Sequence, residues 1–323
     1  MVYIGIDLVG TGIKIGVVDE SGAILSQGET PTLAGRPYED IIADMGRCML
    51  DVMARGGFEE KDIASIGVGI PGVADEKTGH VIFCTNLGWS DVPLRTELQK
   101  YLNKPVYIDN DATVAGFAES ICGVSAGCHS SVFMTLGTGV GGGVVIENKL
   151  FEGNESKGTE LGHTVIVHGG ELCTCGRRGC LESYASATAL IRDTKVAMRK
   201  DKNSAMWDYV GGDIEKVDGK TAFECSKKGD YSAKKVVDDY LEYLGEGLCN
   251  FINIFRPQAI ILGGGVCAQG EYLTNPLKRF IKDFSYGGDK SPSVDLLVAT
   301  LGNDAGLIGA ASLILGGGVE TLV

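Results

Sequence analysis

Apolar and polar positions along the chain follow two patterns, short apolar runs of strand length and longer stretches with helical spacing. An apolar run at 2–8 ends in a glycine turn, and a second strand is predicted at 13–19, followed by a third at 23–28. Helical spacing takes over at 38–55. Strands that alternate with helices in this way predict layered α/β architecture.

The same alternation continues to the end of the chain. Residues 91–102 predict a helix with Asp91 as N-cap and Pro93 in its first turn. Residues 200–231 are polar, and their helical fragments have no clear bounds. The other predicted strands are 63–70, 105–109, two around a turn within 131–146, 258–264 and 294–300. The other predicted helices are 111–122, 183–199, 232–255 and 303–315.

Two glycine turns form an internal repeat. Residues 10–20, GTGIKIGVVDE, and 137–147, GTGVGGGVVIE, are identical at seven of eleven positions. Each copy follows an apolar strand and precedes another. Two halves built on one plan predict a duplicated fold with a cleft between the halves.

The glycine turns are candidate phosphate sites. Glycine lets backbone N–H groups approach an anion because no Cβ intervenes, and the threonine hydroxyl adds a donor. One such turn alone favours a plain hairpin, since glycine is the usual turn residue, whereas two matched turns predict a clamp on a polyphosphate. The chain has no G-x-x-x-x-G-K-[ST] motif, which excludes a P-loop. LGGGV at 262–266 is a candidate contact for a nucleotide base or ribose.

Composition and charge narrow the class of protein. The chain has 323 residues, 44% hydrophobic and 22% charged, which fits a soluble globular protein with two domains. Its net charge of -13 argues against a nucleic-acid-binding surface. Neither a leader nor a membrane span is predicted, so we expect a cytoplasmic protein. Seven of the ten cysteines lie scattered in apolar segments and are predicted to be free thiols.

The remaining three cysteines form the most specific local signal. In ELGHTVIVHGGELCTCGRRGC, His163 precedes Cys173, Cys175 and Cys180. Three thiolates and one imidazole make a closed tetrahedral zinc site, with His168 as an alternative fourth ligand. The other interpretation is three unligated cysteines in one loop. Because four protein ligands leave no open position, the zinc is predicted to be structural.

Asp111, in IDNDATVAGFAE, stands where a predicted strand meets a predicted helix. One interpretation is an N-cap that satisfies a free backbone N–H. The other is a carboxylate that takes a proton from a substrate hydroxyl, with Asn110 orienting that hydroxyl. Asp304, in a similar setting, is interpreted as a cap only.

Further polar residues suit a polyhydroxylated substrate such as a sugar. Glu160 and Glu182 flank the zinc ligands, and each alone is typical of a solvated carboxylate. Held by one metal-pinned loop, both are expected to point toward a polar ligand. Asn86 adds an amide near Trp89, which the pattern predicts to be exposed.

Taken together, the motifs resemble those of the ROK family. GIPGVAD, NLGW, NDA, LGTGVGGG, ELGH, CTCGRRGCLE and LGGGV occur in the family's order, over nearly the whole chain. That family contains bacterial sugar kinases and sugar-responsive repressors with a duplicated actin/hexokinase-like (ribonuclease H-like) α/β fold. The resemblance implies two lobes around a central cleft, a small lobe of 1–112 plus 305–323 and a large lobe of 113–304 that carries the zinc loop.

The resemblance also implies a reaction. GCLESYASATAL and NFINIFRPQAIILGGGV are most similar to the family's glucokinases, which implies ATP-dependent phosphorylation of an aldohexose, first of all glucose, at its 6-hydroxyl. N-acetylmannosamine, N-acetylglucosamine and allose are alternative substrates. A non-catalytic sugar sensor is the alternative of another class, although the acidic chain opens on a strand where family repressors carry a DNA-binding helix-turn-helix. The implied cofactors are ATP, Mg²⁺ and structural Zn²⁺, and the implied partner is a second copy in a homodimer or homotetramer.

Site roles follow from the resemblance position by position. Asp111 would be the general base. The sugar contacts would be Asn86, Asn110, Asp111, Glu160, His163 and Glu182. The contacts to nucleotide, phosphates and Mg²⁺ would be Asp7, Gly10, Thr11, Gly12, Gly137, Thr138, Gly139, Gly264 and Gly265. The zinc ligands would be His163, Cys173, Cys175 and Cys180. One position departs from the family's G-G-T pattern: Val9 replaces the first glycine, and a positive φ there would strain a valine.

Overall fold

The structure is a computed structural model of the chain, described for residues 1–154 and 158–316. These residues form thirteen strands and ten α-helices, among which the predicted strands and helices occur in their predicted order. The strands are β1 (Val2–Leu8), β2 (Gly12–Asp19), β3 (Ile24–Pro31), β4 (Ile63–Ile70), β5 (Val73–Asp75), β6 (His80–Cys84), β7 (Trp89–Val92), β8 (Val106–Asn110), β9 (Ser131–Leu136), β10 (Val140–Ile146), β11 (Lys149–Leu150), β12 (Ala259–Gly263) and β13 (Asp295–Val298). The helices are α1 (Tyr38–Gly56), α2 (Leu94–Gln99), α3 (Asp111–Ile121), α4 (Glu182–Ala185), α5 (Ala187–Lys200), α6 (Met206–Tyr209), α7 (Thr221–Lys227), α8 (Tyr231–Phe255), α9 (Glu271–Phe284) and α10 (Ala305–Ala311).

The strands form two five-stranded sheets, β3-β2-β1-β4-β8 and β11-β10-β9-β12-β13, and a small third sheet, β5-β6-β7. In the first sheet β1, β2 and β3 run antiparallel, while β4 and β8 are added in parallel. Parallel addition brings the carboxyl ends of β1, β4 and β8 to one edge of the sheet. Functional residues of an open α/β sheet are expected at that edge.

Apolar residues of the first sheet are buried against α1 on one face and α10 on the other. The buried positions of α1 recur at helical spacing, as an amphipathic helix requires. Two glycines let α10 lie unusually close to the sheet. A Cβ on Gly5 would come within 2.0 Å of the carbonyl oxygen of Leu307, and one on Gly67 within 1.7 Å of that of Ala310. Any side chain at either glycine would push α10 away from the strands.

The described residues divide into two compact units. One contains the first sheet, the small third sheet and α10, and the other contains α4 to α9 together with β12 and β13. The first unit is Met1–Phe133, Gly143–Thr159 and Ala299–Val323, and the second is Met134–Gly142 and Glu160–Val298. The lobe boundaries inferred from the sequence stay a prediction, and residues 317–323 of the predicted segment 305–323 lie outside the described residues.

Several local predictions were wrong. Asp91 does not cap α2: its φ is 53°, its carboxylate lies 2.7 Å from Nδ1 of His80, and Pro93 takes the cap position. The predicted helix 183–199 is two helices, because the hydroxyl of Ser186 accepts the N–H of Ala189 and starts α5 anew.

The three strands of the third sheet and α9 were not among the predicted elements. The strands of the third sheet are short, and α9 carries Pro276 in its interior, a residue that normally ends a helix. Within 200–231 the structure places α6 and α7. None of the helices in the described part of the chain is both long and apolar enough to cross a membrane.

Candidate active site

The first glycine turn joins β1 to β2 and is held by a neighbouring threonine. The N–H of Val9 donates to the carbonyl of Gly12 (3.0 Å), while Thr32 donates its hydroxyl to the carbonyl of Val9 (2.6 Å) and its N–H to that of Thr11 (3.4 Å). The turn lines a cavity of about 350 Å³. The cavity is lined by Asp7, Val9, Thr11, Gly12, Ile13, Lys14, Glu29, Thr30 and Pro31.

The glycines of this turn provide space. The described residues with positive φ include neither Val9 nor the two glycines, so the valine is not strained. A Cβ on Gly12 would meet no heavy atom within 4 Å, and one on Gly10 would meet only the Cβ of Asn86, at 3.9 Å. Open room beside backbone N–H groups is what close approach of an anion requires.

A carboxylate and a lysine face each other beside the turn. Asp7 on β1 pairs in register with Lys14 on β2. Burial raises the pKa of Asp7, and the charge of Lys14 counteracts part of that rise. Lys14 donates to the carbonyl of Asn303 (3.0 Å) and lies 3.8 Å from the carboxylate of Asp304. Sequence reasoning missed Lys14, although it follows Gly12 by two residues and therefore shares its face of the strand.

The cap of α3 decides one of the two interpretations that the sequence left open for Asp111. Asn110 is the N-cap of α3, since its Oδ1 accepts the N–H groups of Ala112 (2.9 Å) and Thr113 (3.3 Å). Its amide also donates to the carbonyl of Gly72 (3.3 Å). Asp111 is the first helical residue, and its Oδ1 accepts the N–H of Ala112 at 2.8 Å. The cap position therefore belongs to Asn110 and not to Asp111.

Asn86 belongs to the same unit and is exposed in the 3₁₀ turn Thr85–Leu87. Burial raises the pKa of Cys84, which immediately precedes this turn, and the charge of Asp111 adds to that rise. The prediction that Trp89 is exposed was wrong: the side chain is 5% exposed and belongs to the core.

The second glycine turn, in the other unit, is held by α5. The N–H of Ala187 donates to the carbonyl of Gly137 (2.8 Å), and the hydroxyl of Thr188 donates to that of Thr138 (2.7 Å). A Cβ on Gly137 would meet nothing within 4 Å, whereas one on Gly139 would lie 2.4 Å from Oε2 of Glu182. A ligand therefore has room beside Gly137, whereas the carboxylate of Glu182 occupies the space beside Gly139.

The four predicted zinc ligands come together in the second unit. Their ligand atoms all lie within 4.8 Å of one another. Nδ1 of His163 is 3.5 Å from Sγ of Cys173, and Sγ of Cys175 is 3.8 Å from Sγ of Cys180. Tetrahedral Zn²⁺ with bonds of about 2.3 Å to sulfur and about 2.0 Å to nitrogen requires separations of about 3.5–3.8 Å. The four residues fit zinc, and His168 is exposed and outside the cluster.

Glu182 connects the zinc loop to the second glycine turn. Its Oε1 accepts the hydroxyl of Thr174 (3.0 Å) and lies 3.7 Å from Sγ of Cys173, while its Oε2 accepts the N–H of Val140 (3.0 Å). Glu160 is exposed and immediately precedes the 3₁₀ turn that carries His163. Both carboxylates thus depend on the loop that the metal would organise.

The end of β12 supplies the last predicted contact. Gly264 has a φ of 87°, and a Cβ there would lie 2.5 Å from the carbonyl oxygen of Leu136. Gly265 has open space where its Cβ would be, and both glycines are exposed. Only glycine fits the first position, and the second leaves its backbone accessible to a ligand.

Comparison with known proteins gives matches over nearly the whole chain. The sequence model of the ROK family matches residues 3–316. The chain is 36% identical to a glucokinase of Thermotoga maritima over 315 residues, 96% of each protein. It superposes on a ROK family glucokinase from Streptomyces griseus in complex with glucose and AMPPNP, with a TM-score of 0.80, 34% identity and coverage of 97% and 99% of the two chains. A ROK hexokinase from Thermus thermophilus superposes with a TM-score of 0.81 and 32% identity, over 96% of this chain and 97% of that one. The fold is the actin/hexokinase-like fold that the motifs implied.

Proposed function

The chain belongs to the ROK family, and on that premise we propose that it transfers the γ-phosphate of ATP to the 6-hydroxyl of glucose. Support comes from the glucokinase of Thermotoga maritima and from the glucokinase structure that holds glucose and AMPPNP. The observation that carries the proposal is Asp111, placed at a helix start whose capping is done by Asn110.

Asp111 acts as the general base. Its position in the first turn of α3 and the N–H of Ala112 favour the ionised carboxylate. It takes the proton of the 6-hydroxyl while that oxygen attacks the γ-phosphorus in line and the bond to the β-phosphate oxygen breaks. Asn110 and Asn86 orient the sugar from the same unit.

The first glycine turn binds phosphate oxygens. The N–H groups of Gly10, Thr11 and Gly12 and the hydroxyl of Thr11 are the donors. Lys14 adds a positive charge at the same cavity. Asp7 is the carboxylate that would hold Mg²⁺, and the metal would offset the negative charge of the phosphates.

The second unit contributes its own contacts. Gly137, Thr138 and Gly139 bind phosphate oxygens, and Gly264 and Gly265 contact the adenosine. Glu160 and Glu182 bind sugar hydroxyls. In His163, Nδ1 faces the thiol cluster, which leaves Nε2 for a sugar hydroxyl. His163 and the three cysteines would hold Zn²⁺, which would order this loop and, with four protein ligands, leave no open position for the reaction.

Three further features belong to the proposal. We place the protein in the cytoplasm, as a homodimer or homotetramer, with ATP and sugar as its small-molecule partners. The net charge of -13 speaks against a nucleic-acid partner. The proposed small lobe is 1–112 together with 305–323, and the proposed large lobe is 113–304.

A sugar panel with ATP and Mg²⁺ tests the substrate. Glucose is expected to give the highest kcat/KM among glucose, allose, N-acetylglucosamine and N-acetylmannosamine. A higher value for another sugar would replace glucose as the substrate. Failure of ATP·Mg²⁺ to bind in calorimetry would instead indicate a sugar sensor without catalysis.

Asp111→Asn tests the base. The amide keeps the shape of the carboxylate and cannot take the proton, so kcat is expected to fall by about 10²- to 10⁴-fold. Zinc content and Tm should match those of the unmodified protein. Normal turnover in Asp111→Asn would rule out this assignment.

A further inference from the structure

The strand that delivers Asp111 lies at the outside of its sheet. In the order β3-β2-β1-β4-β8, the strand β8 is an edge strand, and α3 with Asp111 follows it directly. The N–H of Ile66 donates to the carbonyl of Pro105 (2.9 Å), so alternate residues of β8 point their backbone groups away from β4. Val106 and Ile108 are such residues. An edge of this kind exposes backbone donors and acceptors and leaves a strand free to shift.

An ion pair occupies the outer edge of β8. The carboxylate of Glu76 accepts the N–H of Ile108 through Oε2 (2.9 Å), and Arg95 donates from Nε to the carbonyl of Val106 (2.9 Å). Oε1 of Glu76 accepts Nη2 of Arg95 at 2.7 Å. The Glu76 carboxylate therefore occupies the N–H of Ile108, and the Arg95 guanidinium occupies the carbonyl of Val106. These are two backbone groups to which a further strand would bond.

The pair is anchored on both sides. Glu76 follows β5, and Arg95 lies in the first turn of α2. The guanidinium also donates to the carbonyls of Lys77 and Glu76, and the N–H of Arg95 donates to that of Gly79 (3.0 Å). The side chains are only 14% and 23% exposed. Their positions are set by the third sheet and α2, and they transmit those positions to β8.

The electrostatic surroundings of Glu76 and Arg95 favour a role for the pair in fixing the position of β8 over a role in the stability of the fold. Burial raises the pKa of Glu76 to about 7, more than the N–H of Ile108 and the charge of Arg95 lower it. Two further carboxylates lie close by, Glu152 and the buried Asp109, and the charge of Glu152 raises the pKa of Glu76 further. Desolvation offsets much of the attraction in a buried ion pair, so such a pair is weak evidence for stability, whereas in some proteins it fixes a unique arrangement.

We propose that Glu76 and Arg95 are positioning residues for phosphoryl transfer, acting through the outer edge of β8 to hold Asn110 and Asp111 in place. Ile108 is two residues before Asn110, whose side chain both caps α3 and bonds Gly72. A small slide of β8 would move the carboxylate of Asp111 relative to the sugar hydroxyl. The inference rests on the proposed role of Asp111 as the base.

The test uses the full-length chain and three variants. Glu76→Ala removes the bond to Ile108 on β8 and the bond to Arg95 on α2. Glu76→Gln keeps an acceptor for the N–H of Ile108. Arg95→Met removes the guanidinium and keeps most of the aliphatic side chain. Arg55→Met, in the exposed pair of Arg55 with Asp51, is the matched control. For each variant, kcat, both KM values, Tm and hydrogen exchange of the Ile108 amide are measured.

We expect kcat to fall on the order of 10- to 100-fold in Glu76→Ala and Arg95→Met, since small misplacements of a catalytic group cost this much. KM for ATP should stay unchanged. Glu76→Gln should recover at least part of the lost kcat and the slow exchange of the Ile108 amide. Arg55→Met should match the unmodified protein in kcat.

Two results would overturn the inference. One is a lowered Tm in Glu76→Ala and Arg95→Met with an unchanged kcat well below that Tm, which would make the pair structural only. The other is faster hydrogen exchange of the Ile108 amide in Glu76→Ala or Arg95→Met while kcat stays unchanged. Asp111→Asn, measured in parallel, separates the two proposals: if it keeps its turnover, the base is misassigned, whatever the pair does.

Discussion

The two glycine turns share seven of eleven residues in their surrounding segments, yet they are held and surrounded differently. The first is tied by one buried residue, Thr32, and lies between the charges of Asp7 and Lys14. The second is tied by the start of α5 and, through Glu182, to the zinc loop. The repeated sequence thus places a glycine turn in each unit, but the N–H of Val9 bonds the carbonyl of Gly12 in the first turn, whereas the N–H of Gly137 bonds that of Gly139 in the second. The surroundings add charged side chains to the first turn and the zinc loop to the second.

Loss of zinc should have the largest effect, and only on the second turn. Cys175→Ser removes one of four ligands, and structural zinc sites contribute on the order of 10 kcal/mol to folding in small zinc domains. We expect loss of bound zinc by metal analysis, a lower Tm and at least about a 100-fold loss of kcat/KM for glucose. Cys128→Ser, outside the cluster, is the control. A zinc-free variant with normal kinetics would show that the second turn does not need the metal.

Lys14→Met should remove the charge that distinguishes the first turn. A charge-assisted hydrogen bond contributes about 1.5–3 kcal/mol, so kcat/KM for ATP is expected to fall by about 10- to 100-fold. Binding of glucose by calorimetry should be unchanged. Lys61→Met, in an exposed pair with Glu59, is the matched control. Unaltered affinity for ATP in Lys14→Met would contradict a phosphate contact at this lysine.

The anchors of the two turns can be compared directly with Thr32→Val and Thr188→Val. Each removes one hydroxyl that donates to a turn carbonyl, at 2.6 Å and 2.7 Å. Thr32 is fully buried and Thr188 is exposed. We expect unfolding free energies lower by about 1–2 kcal/mol for Thr32→Val and by about 0.5 kcal/mol for Thr188→Val, since water replaces only the exposed bond. Equal losses in denaturant titrations would mean that burial does not separate the two anchors.

Val9→Gly should have the smallest effect on catalysis, with a change in stability only. Because Val9 is not strained, glycine relieves nothing and adds freedom to the unfolded chain. We expect unchanged affinity for ATP and a loss of about 0.5–1 kcal/mol in unfolding free energy. A clear gain in ATP affinity would show that the valine obstructs the phosphate.

Features encoded within one short segment were predictable. The zinc ligands, the two glycine turns and the strand–helix order depend on neighbours a few residues away, and the structure reproduces the order and brings the four ligands together. Features that depend on distant partners were not. Trp89 has polar neighbours in sequence but is buried in the core, and Pro276 masked a helix that tertiary packing stabilises.

The sequence by itself determined where the chain turns, which residue types can ligate zinc, and that two segments share one design, because these follow from spacing and side-chain chemistry. Only the tertiary structure decided that Asn110 and not Asp111 caps α3, that Lys14 faces Asp7, and that Glu182 joins the metal loop to a turn. It also placed Glu76 and Arg95 on the edge of β8. Each of these depends on which groups meet across a sheet edge or a loop, and hydrogen bonds of about 3 Å between such groups cannot be read from spacing along the chain.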